Sequence, residues 1–92
     1  MIARRLVVRG RVQGVGFRYA MADAAQTCGV VGWVRNRMDG TVEVFLQGEA
    51  DAVQRAIEWC RRGPPQAHVT AVEVAAEPVL EDIRDFRLRP TA

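Results

Sequence analysis

The chain contains no lysine; all 13 of its basic residues are arginine. That excludes a Walker-type phosphate loop, which needs a lysine followed by Ser or Thr. Cysteine and histidine are scarce as well. Cys28, Cys60 and His68 are too few and too scattered for a zinc site, and they form no transition-metal constellation. Each cysteine closes a helical pattern on its apolar side, so both read as reduced core thiols rather than as a disulfide. No apolar run approaches the roughly 18 residues of a membrane span. The N-terminus, Met1 to Leu6, has two arginines but no long apolar stretch leading to a small-residue cleavage site, so it does not read as a signal peptide. These absences predict a cytoplasmic protein that does not engage a membrane. No repeat, linker or low-complexity segment interrupts the chain. Its 92 residues, 49% hydrophobic and 26% charged, suit one globular domain over 1–92 with a single two-layer core.

A net charge of +2 hides an asymmetry. Residues 1–37 carry seven arginines and one acid, Asp23, whereas residues 38–92 carry six arginines and ten acids. The basic part would draw in a small anion. Most of its arginines read as solvated strand faces: Arg4 and Arg5 as surface residues, Arg9 and Arg11 nearer the rim of any site.

Periodicity predicts the elements. Arg5 to Val12 alternates with period two, as a strand does. From Phe17 to Cys28 the residues Phe17, Ala20, Met21, Ala24 and Cys28 fall on one helical stripe, closed by Gly29. Val30 to Asn36 reads as a second strand. Met38-Asp39-Gly40 then makes a hairpin turn into a third strand, Thr41 to Gln47, with Val42, Val44 and Leu46 on one face. Gly48 ends that strand. A second helix runs from Ala50 to Arg62 with Val53, Ala56, Ile57 and Cys60 buried, and Gly63-Pro64-Pro65 stops it. A fourth strand covers His68 to Val74. A polar loop around Glu81 to Asp85 leads to a short last strand, Phe86 to Leu88. The order is βαββαβ plus a tail strand, the split βαβ pattern of an α+β, ferredoxin-like α/β sandwich. Its sheet is mostly antiparallel and carries both helices on one face, with the other face open or partly covered. This fold hosts many unrelated functions.

The most informative stretch is Gly10-Arg11-Val12-Gln13-Gly14-Val15-Gly16-Phe17-Arg18. Strand, glycine loop and helix start together make an anion site. The first N–H groups of a helix lack internal partners, and the helix dipole there favours negative charge. Glycines let the backbone close around an oxyanion, and Arg18 adds a planar charged fork suited to phosphate. The competing reading is a simple turn. A dinucleotide fingerprint is excluded, because Tyr19 stands where a small residue is required. The second feature is Gly32-Trp33-Val34-Arg35-Asn36, followed by Asp39-Gly40-Thr41-Val42. Asn36 closes a strand before the hairpin. Its carboxamide can hold a water in a chosen direction, and it can equally serve turn chemistry.

Taken together, these two motifs, with Gly48, Pro64-Pro65, the strand to Val74 and Phe86-x-Leu88, resemble acylphosphatase over essentially the whole chain. The resemblance implies hydrolysis of the carboxyl–phosphate anhydride of an acyl phosphate to a carboxylate and inorganic phosphate, with no metal or organic cofactor. Carried onto this sequence, it makes Arg18 and Asn36 catalytic. It also makes Gln13, Gly14, Val15, Gly16 and Phe17, with Arg18, the phosphate-binding cradle. To Arg37 it assigns no role. The chemistry agrees: a carboxylate leaves without strong protonation, so the site needs positioning and charge stabilisation rather than a titrating base. The partners implied are a small acyl phosphate and the product phosphate, the latter also a competing ligand, and the expected state is a monomer.

Three other readings fit the fold less well. A nucleic-acid-binding module needs stacked aromatics on its central strands, and the third strand offers only Phe45 beside Glu43. A metal-carrying module needs Cys-x-x-Cys where the glycine loop stands. An acylphosphatase-like accessory module of a larger carbamoyl-transfer enzyme would be joined through a linker. The chain reaches Ala92 without one, which favours a free-standing enzyme.

Overall fold

The computed structural model describes all residues, Met1–Ala92. The elements are β1 (Ile2–Arg11), α1 (Phe17–Cys28), β2 (Val31–Asn36), β3 (Val42–Gly48), α2 (Ala50–Arg62), β4 (His68–Glu77) and β5 (Phe86–Leu88). They form one five-stranded sheet in the order β4-β1-β3-β2-β5, so the ferredoxin-like expectation holds. Pairing is antiparallel throughout, except that β5 runs parallel to β2.

Both helices and β5 fall where periodicity placed them. β1 starts three residues earlier than expected, because Ile2, Ala3 and Arg4 find partners in Gly48, Gln47 and Leu46. β4 runs on to Glu77 for the same reason, since Ala3 lies opposite Glu77, and Pro78 ends it. β2 and β3 each begin one residue later than predicted, and β3 takes in Gly48. Gly32 sits at φ +144, and a Cβ there would lie 1.8 Å from the Phe45 carbonyl oxygen, so β2 can approach β3 only through glycine at this point.

The core lies between the sheet and the helices. Leu6, Val8, Val34, Val42, Val44 and Leu46 on the sheet meet Phe17 and Met21 of α1 and Val53, Ile57 and Cys60 of α2. The buried stripe of α1 is Phe17, Met21 and Ala25; Ala20, Ala24 and Cys28 lie to its side, half-buried. The ring of Phe17 meets Trp59 edge-on at 5.4 Å, which pins the start of α1 to α2. Both thiols are free, and burial pushes the Cys60 thiol up to about 12.

The sheet face away from the helices is not open at its centre. Glu43, Phe45 and Gln47 of β3 are all buried. Trp33 stacks on Phe45 with centroids 6.1 Å apart, and Arg35 and Arg89 cover the Trp33 ring. Glu43 takes Arg35 at 2.7 Å and Arg5 at 3.2 Å. Arg5 is therefore a half-buried ion-pair partner and not a free surface residue. β4 and β5 lie on opposite edges, so the connection 78–85 must cross the sheet. Gln47 secures it: its carboxamide nitrogen donates to the Leu80 carbonyl at 2.7 Å, and its oxygen accepts from the Leu80 N–H at 2.8 Å. No helix is long and apolar enough to cross a membrane.

Candidate active site

β1 pairs with β3 only as far as Val8 opposite Val42. Beyond that point it follows β4 alone, through an irregularity at Arg9/Gly10, to Arg11. The chain then turns at Val12–Gly16 and enters α1. Val12, Val15 and Phe17 are buried, so three apolar anchors fix the loop from beneath. Gly14 and Gly16 take positive φ, +72 and +78, and nothing lies within 4 Å of where a Cβ would stand at either. The left-handed conformation turns the backbone back on itself, which disfavours any residue but glycine. The empty space above both glycines leaves their backbone accessible from outside.

The hydrogen bonding of this segment is unusual. None of the seven backbone N–H groups from Gln13 to Tyr19 donates to another group of the chain; the first helical donor is Ala20, to Gly16. Seven consecutive free donors at the positive end of a helix make a strong local preference for an oxyanion. Arg18 stands among them. Its guanidinium has no carboxylate partner, and its only close aromatic neighbour is Tyr19, with the ring centroid 6.0 Å away. An unpaired arginine beside unpaired amides keeps its full charge available to a bound phosphoryl group.

Asn36 ends β2. Its parity is that of fully buried Val34, which places it on the helix-bearing side of the sheet, the side of the glycine loop. It is half-buried, and its carboxamide makes no hydrogen bond within the chain. Its backbone is well held. Its carbonyl accepts from the Ala92 N–H at 3.0 Å, and the Ala92 carbonyl accepts from Met38 at 2.7 Å. The tail after β5 thus continues along β2 to the turn, with Arg89 donating to Val34. The turn itself is closed by Gly40 donating to the Arg37 carbonyl and by Arg37 donating to the Thr41 carbonyl. Asp39 accepts from both the hydroxyl and the N–H of Thr41; these bonds hold its carboxyl below the ordinary value of 3.8, with Arg37 and Arg9 adding positive charge nearby.

Gly14 and Gly16 are exposed at the loop and the amides of Val15 and Phe17 have no partner within the chain, while the Val15 and Phe17 side chains serve the core. The Gln13 side chain does something sequence reasoning did not foresee: its nitrogen donates to the carbonyls of both Arg37 and Thr41, each at 2.8 Å. Of the rim arginines, Arg9 pairs with Glu73 and Arg11 is exposed. The approach of Ala92 to Asn36 had no sequence signal, because only the parallel seating of β5 brings it there. No group of three His, Cys, Asp or Glu gathers as a metal-ligand set. The largest cavity, 660 Å³ between α1 and α2, touches none of these residues. A small anion met by surface donors needs no deep cavity.

Fold and site together define a class: a small ferredoxin-like α/β domain with an amide-lined, arginine-bearing loop at a helix start. Comparison with known proteins narrows it. The acylphosphatase family model matches residues 4–88. An acylphosphatase of Pyrobaculum arsenaticum is 52% identical over 92 residues, spanning 99% of this chain and 97% of that protein. The crystal structure of acylphosphatase from Bacillus subtilis superposes with a TM-score of 0.92 at 39% identity, covering 97% of this chain and 99% of that one. Full-length HypF, solved in its phosphate- and nucleotide-bound form, superposes with a TM-score of 0.88 at 26% identity, covering 98% of this chain but 12% of that one. The chain belongs to the acylphosphatase family and is an enzyme of that type, a hydrolase of acyl phosphates.

Proposed function

We propose that Arg18 and the amides of Gln13 to Phe17 bind the phosphoryl group of an acyl phosphate while Asn36 orients the attacking water. The observation that carries this reading is the row of unpaired N–H groups beside an unpaired guanidinium, joined to the strand end that bears Asn36. The loop and Arg18 hold the equatorial oxygens, where charge gathers in the transition state. Asn36 offers a donor and an acceptor to a water on the side of phosphorus opposite the leaving group. The water oxygen bonds to phosphorus and the bond from phosphorus to the acyl oxygen breaks. The carboxylate departs with that electron pair, and the water's proton passes to a phosphate oxygen. No side chain that titrates near neutrality is needed, and as the resemblance to the family implies, no metal or organic cofactor takes part; nucleic acid and membrane have no place in this reading. The same reading has the enzyme working as a cytoplasmic monomer. Against the accessory-module alternative, this chain covers 97% of the Pyrobaculum acylphosphatase at 52% identity but only 12% of the larger HypF chain at 26%.

The test is phosphate release from a simple aryl acyl phosphate with EDTA present. Turnover should survive chelation, and its pH profile should be broad through neutrality. A steep limb at about pH 6.5, where an imidazole titrates, or loss of activity on chelation would overturn the mechanism.

A further inference from the structure

We infer that Gln13 is a positioning residue, one that sets the distance between the phosphate-holding loop and Asn36 without itself gripping the substrate through its side chain. The inference rests on the functional reading above. It starts from the divergence of β1 and β3. Their ladder ends at Val8 and Val42, so the last stretch of β1 and the loop after it have left the strand that leads out of the hairpin. Across that gap the only hydrogen bonds from the loop to the hairpin come from one side chain, that of Gln13.

Chemistry dictates which end of the carboxamide makes them. Both partners are carbonyl oxygens, so only the NH₂ end fits, and it gives one proton to each. The two carbonyls are those that close the turn, Arg37 accepting from Gly40 and Thr41 accepting from Arg37. Gln13 therefore bonds to both sides of the hairpin neck, one peptide beyond Asn36. Its own backbone belongs to the loop, immediately before Gly14. A rigid two-point link of this kind holds the group that directs the water at a fixed offset from the donors that hold the phosphorus. Displacements of about 1 Å between such groups can slow a reaction on the order of a hundredfold.

The test uses three side chains of similar length in the full chain. Gln13→Met fills the space with no donor, Gln13→Glu presents an acceptor to two acceptors, and Gln13→Lys restores donors on a different head group. The readouts are kcat, inhibition by inorganic phosphate and thermal melting. Gln13→Met should lose about tenfold to a hundredfold in kcat with phosphate inhibition nearly unchanged. Gln13→Glu should be at least as impaired in kcat, and Gln13→Lys should recover most of the loss. In an Asn36→Ala background, Gln13→Met should lower kcat little further, because the residue it serves is gone. The inference is overturned if Gln13→Met keeps near-normal kcat while Asn36→Ala does not, or if phosphate inhibition weakens in step with kcat, which would make Gln13 a ligand. Losses that multiply with Asn36→Ala, or a Lys variant no better than Met, overturn it too. If Gln13→Met melts below the assay temperature, the Lys and Glu pair carries the comparison. If Asn36→Ala itself leaves kcat intact, the functional reading fails and not merely the role of Gln13.

Discussion

The loop Val12–Gly16 and the connection Pro78–Asp85 are both irregular, and each is tied down by a glutamine, yet they treat their backbone groups in opposite ways. In the crossing connection, Gln47 gives both its donor and its acceptor to one residue, Leu80, and so stands in for a missing strand. In the glycine loop, Gln13 reaches away to the hairpin and leaves the loop's own amides unpaired. The first arrangement holds the chain to itself. The second fixes the surroundings of a loop while keeping its donors for something else. An unpaired donor is tolerable at a surface where water or an anion can take it. In the proposed reading, the two glutamines separate a segment built for stability from one that holds a ligand.

The largest effect expected from this contrast is on activity at the loop. Arg18→Ala should lower kcat/KM about a hundredfold or more, the order found for loss of one transition-state oxyanion donor. It should leave thermal stability nearly unchanged, since the guanidinium has no partner to lose. Arg18→Lys should recover little, because a point charge does not reproduce the bidentate fork. Asn36→Ala should lower kcat strongly with phosphate inhibition nearly intact, whereas Arg18→Ala should weaken both. Near-normal turnover in Arg18→Lys would break the two-pronged grip.

The crossing connection should behave in reverse. Gln47→Ala removes a buried side chain and both bonds to Leu80, and should lower stability by about 1–2 kcal/mol as measured by denaturant unfolding. Activity at temperatures where the variant is folded should stay near normal. A large loss of turnover in a folded Gln47→Ala would erase the distinction between the two segments.

The smallest effect concerns the hairpin turn. The carboxyl of Asp39 is held below its ordinary value by Thr41, so the charged form favours the folded state. That contribution is present above the ordinary value of 3.8 and is lost as pH falls through the lowered folded value. Asp39→Ala should therefore be less stable than the parent chain at neutral pH, and the difference should shrink as pH drops below 3.8. A difference that persists undiminished in acid would show that Asp39 acts by something other than its charged hydrogen bonds.

How much of this was legible in the sequence follows from the range of each interaction. α2 was read correctly because Val53, Ala56, Ile57 and Cys60 repeat at helical spacing within one element. The lengths of β1 and β4 were not, because Ala3 is a strand residue only by virtue of Gln47 and Glu77 far along the chain. The outer sheet face reads from sequence as open or partly covered; the burial of Glu43 and Gln47 at its centre depends on Arg5, Arg35 and Leu80, partners that periodicity does not reveal. Helical spacing runs the stripe of α1 through Ala20 and Ala24, whereas Ala25 is the alanine that is fully buried. At the site, local chemistry marks the glycines and Arg18 as candidates, whereas Asn36, which turn chemistry would also explain, is singled out by the resemblance to the family. The long reach of Gln13 to Arg37 and Thr41 exists only once the strands have diverged.

The central claim is that the free amides of the glycine loop are there to hold a phosphoryl group. Backbone amide chemical shifts, followed by NMR while inorganic phosphate is titrated into the full chain, test this most directly. The account predicts the largest shifts at Gln13 through Tyr19, saturating together, with Leu80 unmoved. The same titration on Arg18→Ala should need much more phosphate. Shifts centred instead on Arg84, Arg87 and Arg89, or loop amides that stay still at saturating phosphate, would contradict it.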